Sequence, residues 1–161
     1  MENYPIYGND SIDFVKKRIK VPKKIIIIGS RRRNNESDYQ QVFNEFKKWY
    51  DDGDIIISGG CPKGADHFAE IIAQKLNMTK ENGQLIIHRP DPNKKPVEYS
   101  PSYEWAQWYY ERNTVVAKEA EPNTVVIACV SPDRKGGTED TLRKIERHLG
   151  ENYDGNLVRI V

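Results

Sequence analysis

Aliphatic runs alternate with amphipathic stretches along this chain. Lys24–Ile28 is a β-branched run that ends at Gly29-Ser30, and Asp54–Ile57 repeats the pattern before Ser58-Gly59-Gly60. Gln84–His88, Thr124–Val130 and Leu157–Val161 add three more. Near-continuous hydrophobic runs of this length suit parallel strands covered on both faces. Between them, Tyr39, Val42, Phe43, Phe46 and Tyr50 share one face at 3.6-residue spacing. Ser37 with Gln40 predicts a capping box at the start of that helix. Ala65, Phe68, Ala69, Ile72 and Leu76 define a second helical face, and Leu142, Ile145 and Leu149 a third. A longer helix is expected from about Ser102 to about Glu119, bounded by Pro101 and Pro122. Strand–helix alternation of this kind builds βαβ units. The expected fold is therefore a Rossmann-like α/β domain, an open parallel sheet of about five strands with helices on both faces.

The 161 residues fit one domain, with residues 1–23 as an N-terminal extension packed on it. That extension carries a weak helical pattern, Ile12, Val15 and Ile19, beside the basic run Lys16-Lys17-Arg18. Asp91 to Pro101 holds three prolines and reads as an ordered loop. Hydrophobic residues at 37% supply a core and exclude wholesale disorder. The longest aliphatic run, Ile25–Ile28, is far too short to span a bilayer, and Met1-Glu2-Asn3-Tyr4 opens no signal pattern. Cys61 and Cys129 cannot make a disulfide framework, and three dispersed histidines give no zinc pattern. A cytoplasmic protein with reduced thiols, no metal and no cofactor is expected. The formal net charge of +1 argues against a coat for nucleic acid, while leaving room for a local anion site.

Three of the strands end in glycine-bearing turns that lead into helices: Gly29-Ser30-Arg31, Gly59-Gly60-Cys61-Pro62-Lys63-Gly64-Ala65-Asp66, and Gly136-Gly137-Thr138. In an open α/β sheet, ligands sit beyond the carboxyl ends of the strands where strand order reverses. Glycine lets a ligand approach the backbone, and helix N-termini offer unpaired N–H groups to phosphate. Each turn alone is explained by loop geometry; three on one sheet edge point to a phosphate-bearing ligand.

Those turns, with Arg112-Asn113 and Thr141, carry a resemblance. Ile-Ile-Ile-Ile-Gly-Ser-Arg, Ser-Gly-Gly-Cys-Pro-Lys-Gly-Ala-Asp, Arg-Asn and Gly-Gly-Thr occur in the order and spacing of the SLOG superfamily. The chain resembles its small YspA-like branch over about Lys24 to Arg147, and more distantly the DprA and Lonely Guy phosphoribohydrolase families. The resemblance implies a Rossmann-like sheet that binds nucleotides or nucleotide-derived ligands, including ADP-ribose-type signals in the immune systems of bacteria and phages. It places Gly29, Ser30 and Arg31 in a first ligand loop, and Gly59, Gly60, Gly64, Ala65 and Asp66 in a second, whose aspartate caps its helix. Arg112 and Asn113 match a pair that faces the pocket in relatives, and Gly136, Gly137 and Thr138 match the phosphate turn. The phosphoribohydrolases carry a glutamate three residues after that threonine; here the position is Thr141. Glycosidase chemistry needs such a carboxylate, and its absence weighs against turnover.

Other residues keep two readings. Arg31 is expected to clamp a phosphate, with Arg32 and Arg33 mostly facing solvent. Lys63 is either a phosphate contact or a loop-tip charge. Asp66 reads as a structural cap more readily than as an acid, and Cys61 has no identifiable base beside it. The aromatic helix sets Trp105, Trp108, Tyr109 and Arg112 on one face and Tyr103, Ala106, Tyr110 and Asn113 on another. Subunit contact is its plainer role; stacking of Tyr109 or Trp105 on a base is the sharper one. The expected function is capture or sensing of a nucleotide-derived small molecule (an ADP-ribose derivative or cyclic nucleotide) without turnover, by a homo-oligomer, most simply a dimer. Nucleotide N-glycoside hydrolysis is the alternative, and DprA-like binding of single-stranded DNA ranks third because backbone binding relies on many phosphate contacts.

Overall fold

The computed structural model describes residues 21–150 and 156–161. The helical pattern expected near Ile12–Ile19 lies outside the described residues. The elements follow in the order β1 (Lys24–Gly29), α1 (Glu36–Trp49), β2 (Ile55–Ser58), α2 (Ala65–Lys75), β3 (Leu85–Ile87), a short 3₁₀ turn (Pro92–Lys94), α3 (Ser102–Lys118), β4 (Val125–Cys129), α4 (Gly137–Leu149) and β5 (Leu157–Ile160). All five strands pair in parallel, in the order β3-β2-β1-β4-β5. The Rossmann-like α/β sheet expected from the periodicity is the fold observed.

The side-chain alternation of β1 shows how the layers form. Ile25 and Ile27 point to one face and pack with Val42 and Phe46 of α1 and Phe68 and Ile72 of α2. Ile26 and Ile28 point to the other and pack with Val116 and Ala117 of α3 and Leu142 and Ile145 of α4. A central strand buried on both faces has no polar side to show, which is why its run is continuously aliphatic. β1 pairs with both β2 and β4, so the chain winds outward in opposite directions from it. The carboxyl ends of β1 and β4, where Gly29 lies opposite Cys129, form the topological switch point.

Two local expectations are corrected. The capping box of α1 is not built on Ser37 and Gln40. Its N-cap is Asn35, whose side-chain oxygen accepts the Asp38 N–H at 2.8 Å, while the Asp38 carboxylate accepts the Asn35 N–H. Arg33 does not face solvent. Its guanidinium donates to the Val130 and Ile160 carbonyls at 3.0 and 2.8 Å and to Asp38 at 2.8 Å, tying the ends of β4 and β5 to the start of α1. Among the described residues, no helix is long and apolar enough to cross a membrane.

Candidate functional site

A cleft of about 360 Å³ opens over the switch point, on the sheet face covered by α3 and α4. From the first turn, Gly29, Ser30 and Arg31 line it; from the second, Gly59 and Asp66. Arg112 and Asn113 reach it from α3, and Gly136, Gly137 and Thr138 close it from the α4 end. Strand order thus brings together segments far apart in sequence.

The first two turns are tied down by neighbouring segments. The Ser30 N–H donates to the Cys129 carbonyl at 2.9 Å, which fixes the β1 turn to β4. Gly29 must lack a side chain, since a Cβ there would stand 2.6 Å from the Ala65 Cβ. Arg31 is exposed, and its guanidinium lies 4.9 Å from the centre of the Tyr109 ring, where cation and π-face attract. Arg32 is exposed as expected and pairs with Asp133 at 2.8 Å, yet it also lines the cleft.

At the second turn the expectations divide. Gly60 and Lys63 do not line the cleft. The Gly60 carbonyl accepts a hydrogen bond from Arg89, and a Cβ on Gly60 would collide with Arg89 and Ile87, so this glycine serves the packing of β2 against the loop after β3. Lys63 stands exposed at the loop tip. Asp66 does not cap α2: the N-cap is Gly64, with no side-chain cap. Its Oδ2 instead accepts the Cys61 amide at 3.2 Å, holding the loop ahead of the helix. Burial pushes its carboxyl up to about 6, against the opposing pull of Arg112 and of the Cys61 and Gly29 amides.

The Arg112-Asn113 pair braces the two sides of the cleft. Arg112 Nη1 donates to the Gly59 carbonyl and Nε to Asn113 Oδ1 at 3.0 Å. The Asn113 amide then donates to the Gly137 carbonyl at 3.3 Å and to Asp140 at 3.2 Å. At the α4 end, the N-cap Gly136 has φ +102°, a left-handed conformation that favours glycine, and no side chain caps the helix. Glu139 and Asp140 follow in the first turn, but neither lines the cleft. Glu139 pairs with Arg134 at 2.5 Å, and Asp140 with Lys144 at 2.8 Å. Thr141 does line it and donates its hydroxyl to the Gly137 carbonyl at 3.0 Å.

The sequence reading missed Lys135, Cys61, Ala106 and Tyr110 as lining residues. A basic residue directly before Gly136-Gly137 was the available signal for Lys135. Ala106 and Tyr110 line it beside Tyr109, Arg112 and Asn113 of the same helix. The lining carries four cationic side chains, Arg31, Arg32, Arg112 and Lys135, against one carboxyl, Asp66. Such a lining, with four cations against one carboxyl, suits an anionic ligand. Among the described residues, no group of three or more His, Cys, Asp or Glu side chains could hold a metal ion. Compared with protein-family models, curated proteins and solved structures, the chain matches none at a significant level.

Proposed function

We propose that this chain captures a nucleotide-derived small molecule, of the ADP-ribose or cyclic-nucleotide kind, and holds it without turnover as a sequestering or sensing protein. The observation that carries the reading is one cleft, over the switch point, lined by the uncapped N-terminus of α4 with Lys135 just ahead of it and by cationic side chains from two other segments, the turn after β1 and α3. Phosphate is the group that such a cluster of helix amides and guanidinium groups favours. Glu139 and Asp140 do not oppose it, because their charges are spent on Arg134 and Lys144. Tyr109 and Tyr110 offer aromatic surface beside that seat.

Holding without turnover is supported by Thr141, which takes the position where a glycoside-cleaving relative would carry its carboxylate. The same convergence of turns supports membership of the SLOG superfamily, YspA-like branch. The balanced charge weighs against single-stranded DNA as the partner. Tyr99, Tyr103, Tyr110 and Val115 are exposed on and before α3, which supports a homo-oligomer, most simply a two-fold dimer, through that face.

Calorimetry with ADP-ribose, its cyclic isomers and ordinary nucleotides tests the reading against wild type, Arg31→Ala and Arg112→Ala. Loss of one charged hydrogen bond costs about 1.5–3 kcal/mol, so each variant is expected to bind at least about tenfold more weakly. Wild type that binds none of these ligands, or variants that bind as wild type does, would overturn it. Chromatography of the recovered ligand separates capture, which returns it intact, from hydrolysis, which releases the free base.

A further inference from the structure

Asp66 is the one acidic side chain among the described residues that lines the cleft, and phosphate binding leaves it unused. It is 6% exposed. Oδ2 accepts the Cys61 amide, and Gly59 packs so closely that a Cβ there would stand 2.7 Å from the same oxygen. The Gly29 amide is a second backbone donor to this carboxylate, and of about four acceptor positions on an ionised carboxylate the two amides leave about two for the cleft. Buried acceptors of this kind are ordinarily satisfied. Arg112 stands beside it and donates to the Gly59 carbonyl and to Asn113, which leaves N–H groups of that guanidinium for an anion in the same cleft.

The carboxylate also orients whatever enters. It repels phosphate, so the phosphate belongs at the α4 end. Asp66 follows β2 and the α4 turn follows β4, with β1 between them, so the two ends are two strand spacings apart, roughly 10 Å. The part of a nucleotide beside Asp66 must therefore be uncharged and donate hydrogen bonds. Two vicinal hydroxyls, donating side by side to one carboxylate, fit that demand.

We propose that Asp66 is the ribose subsite of this cleft: its carboxylate accepts the 2′- and 3′-hydroxyls of a ribonucleotide-derived ligand and rejects the deoxyribose form. The proposal rests on the phosphate-binding reading of the same cleft and adds the residue that reads the ligand's sugar. A site built to bond a hydroxyl discriminates strongly against the analogue that lacks it.

The experiment is calorimetry with AMP, 2′-deoxy-AMP, GMP and 2′-deoxy-GMP on wild type and on Asp66→Asn, whose fold is checked by circular dichroism. Each ribonucleotide is expected to bind wild type about tenfold more tightly than its deoxy form. In Asp66→Asn the two sugars are expected to come within about twofold, because the amide presents one acceptor oxygen where the carboxylate presented two. Equal binding of ribo and deoxy forms to wild type would overturn the ribose subsite and leave the phosphate reading standing. A preference for guanine over adenine that disappears in Asp66→Asn would assign the carboxylate to the base and overturn it too. If neither these nucleotides nor ADP-ribose and its cyclic isomers bind, both readings fall together. Should Asp66→Asn not fold, the wild-type ratio decides alone, and it should collapse toward one at pH 5 and recover at pH 8.

Discussion

Asp66 is charged at neutral pH in a place that disfavours charge. Arg112 faces it from α3, the Gly29 amide from β1, the Cys61 amide from the preceding loop, and Glu70 adds repulsion from its own helix. Its carboxyl stands at about 6 in the fold against an ordinary aspartate value of 3.8. The folded state therefore takes the proton first. The cost to stability is present above pH 6 and is relieved as pH falls through 6 toward 3.8. Asp66→Asn removes that titration. In urea unfolding, the variant's stability relative to wild type is expected to rise by on the order of 2–3 kcal/mol between pH 4 and pH 8. A difference that stays flat across this range would show that Asp66 titrates normally. The same scale explains why Arg31-Arg32-Arg33 could not be resolved in sequence. Three adjacent arginines look alike, and Arg33 turns inward only because β5 brings the Ile160 carbonyl beside that of Val130.

Strands and helices were legible because burial on one or two faces writes a period into the chain. Every strand lies within about a residue of its aliphatic run, and α3 spans Ser102–Lys118 where its prolines and pattern placed it. Caps were less legible, since Ser, Asn and Asp all compete for the role and Asn35-Glu36-Ser37-Asp38 offers several registers. The observed cap predicts that Asn35→Ala costs about 1 kcal/mol in chemical denaturation while Ser37→Ala changes stability by less than about 0.5 kcal/mol. Equal costs would return the cap to Ser37. The face of α3 was legible only in part. Trp108 is held by its indole N–H to the Asp91 carbonyl at 2.7 Å, whereas Tyr103 is 67% exposed. An aromatic left in water on a helix face suits a contact between copies. Light scattering is expected to show a dimer for wild type at micromolar concentration and a monomer for Tyr103→Glu; a monomeric wild type would rule the contact out.

At the scale of the molecule, the sequence showed which turns bear glycine but not how far each stands from the others. That follows from strand order, which sets β2 and β4 on either side of β1. It also hid what each glycine is for, because a glycine that admits a neighbouring helix and one that admits a ligand look the same. The packing around them separates the two. A Cβ on Gly29 would stand 2.6 Å from the Ala65 Cβ and 2.9 Å from the Cys129 carbonyl oxygen, so this glycine lets α2 and β4 close on the end of β1. A Cβ on Gly137 would meet Asn113 Nδ2 only at 3.6 Å, an ordinary contact, and Gly137 lines the cleft. Gly29→Ala is therefore expected to destabilise the fold by about 1–3 kcal/mol through overpacking. Gly137→Ala should leave stability unchanged or raise it by up to about 1 kcal/mol, since alanine is the better helix former. Its Cβ would occupy the surface on which we propose the phosphate to sit, so AMP affinity is expected to fall about tenfold, equivalent to about 1.4 kcal/mol. Thermal melts and calorimetry on the two variants make the check. A Gly137→Ala protein that binds AMP as wild type does would remove the phosphate from the α4 turn, whatever its melting temperature.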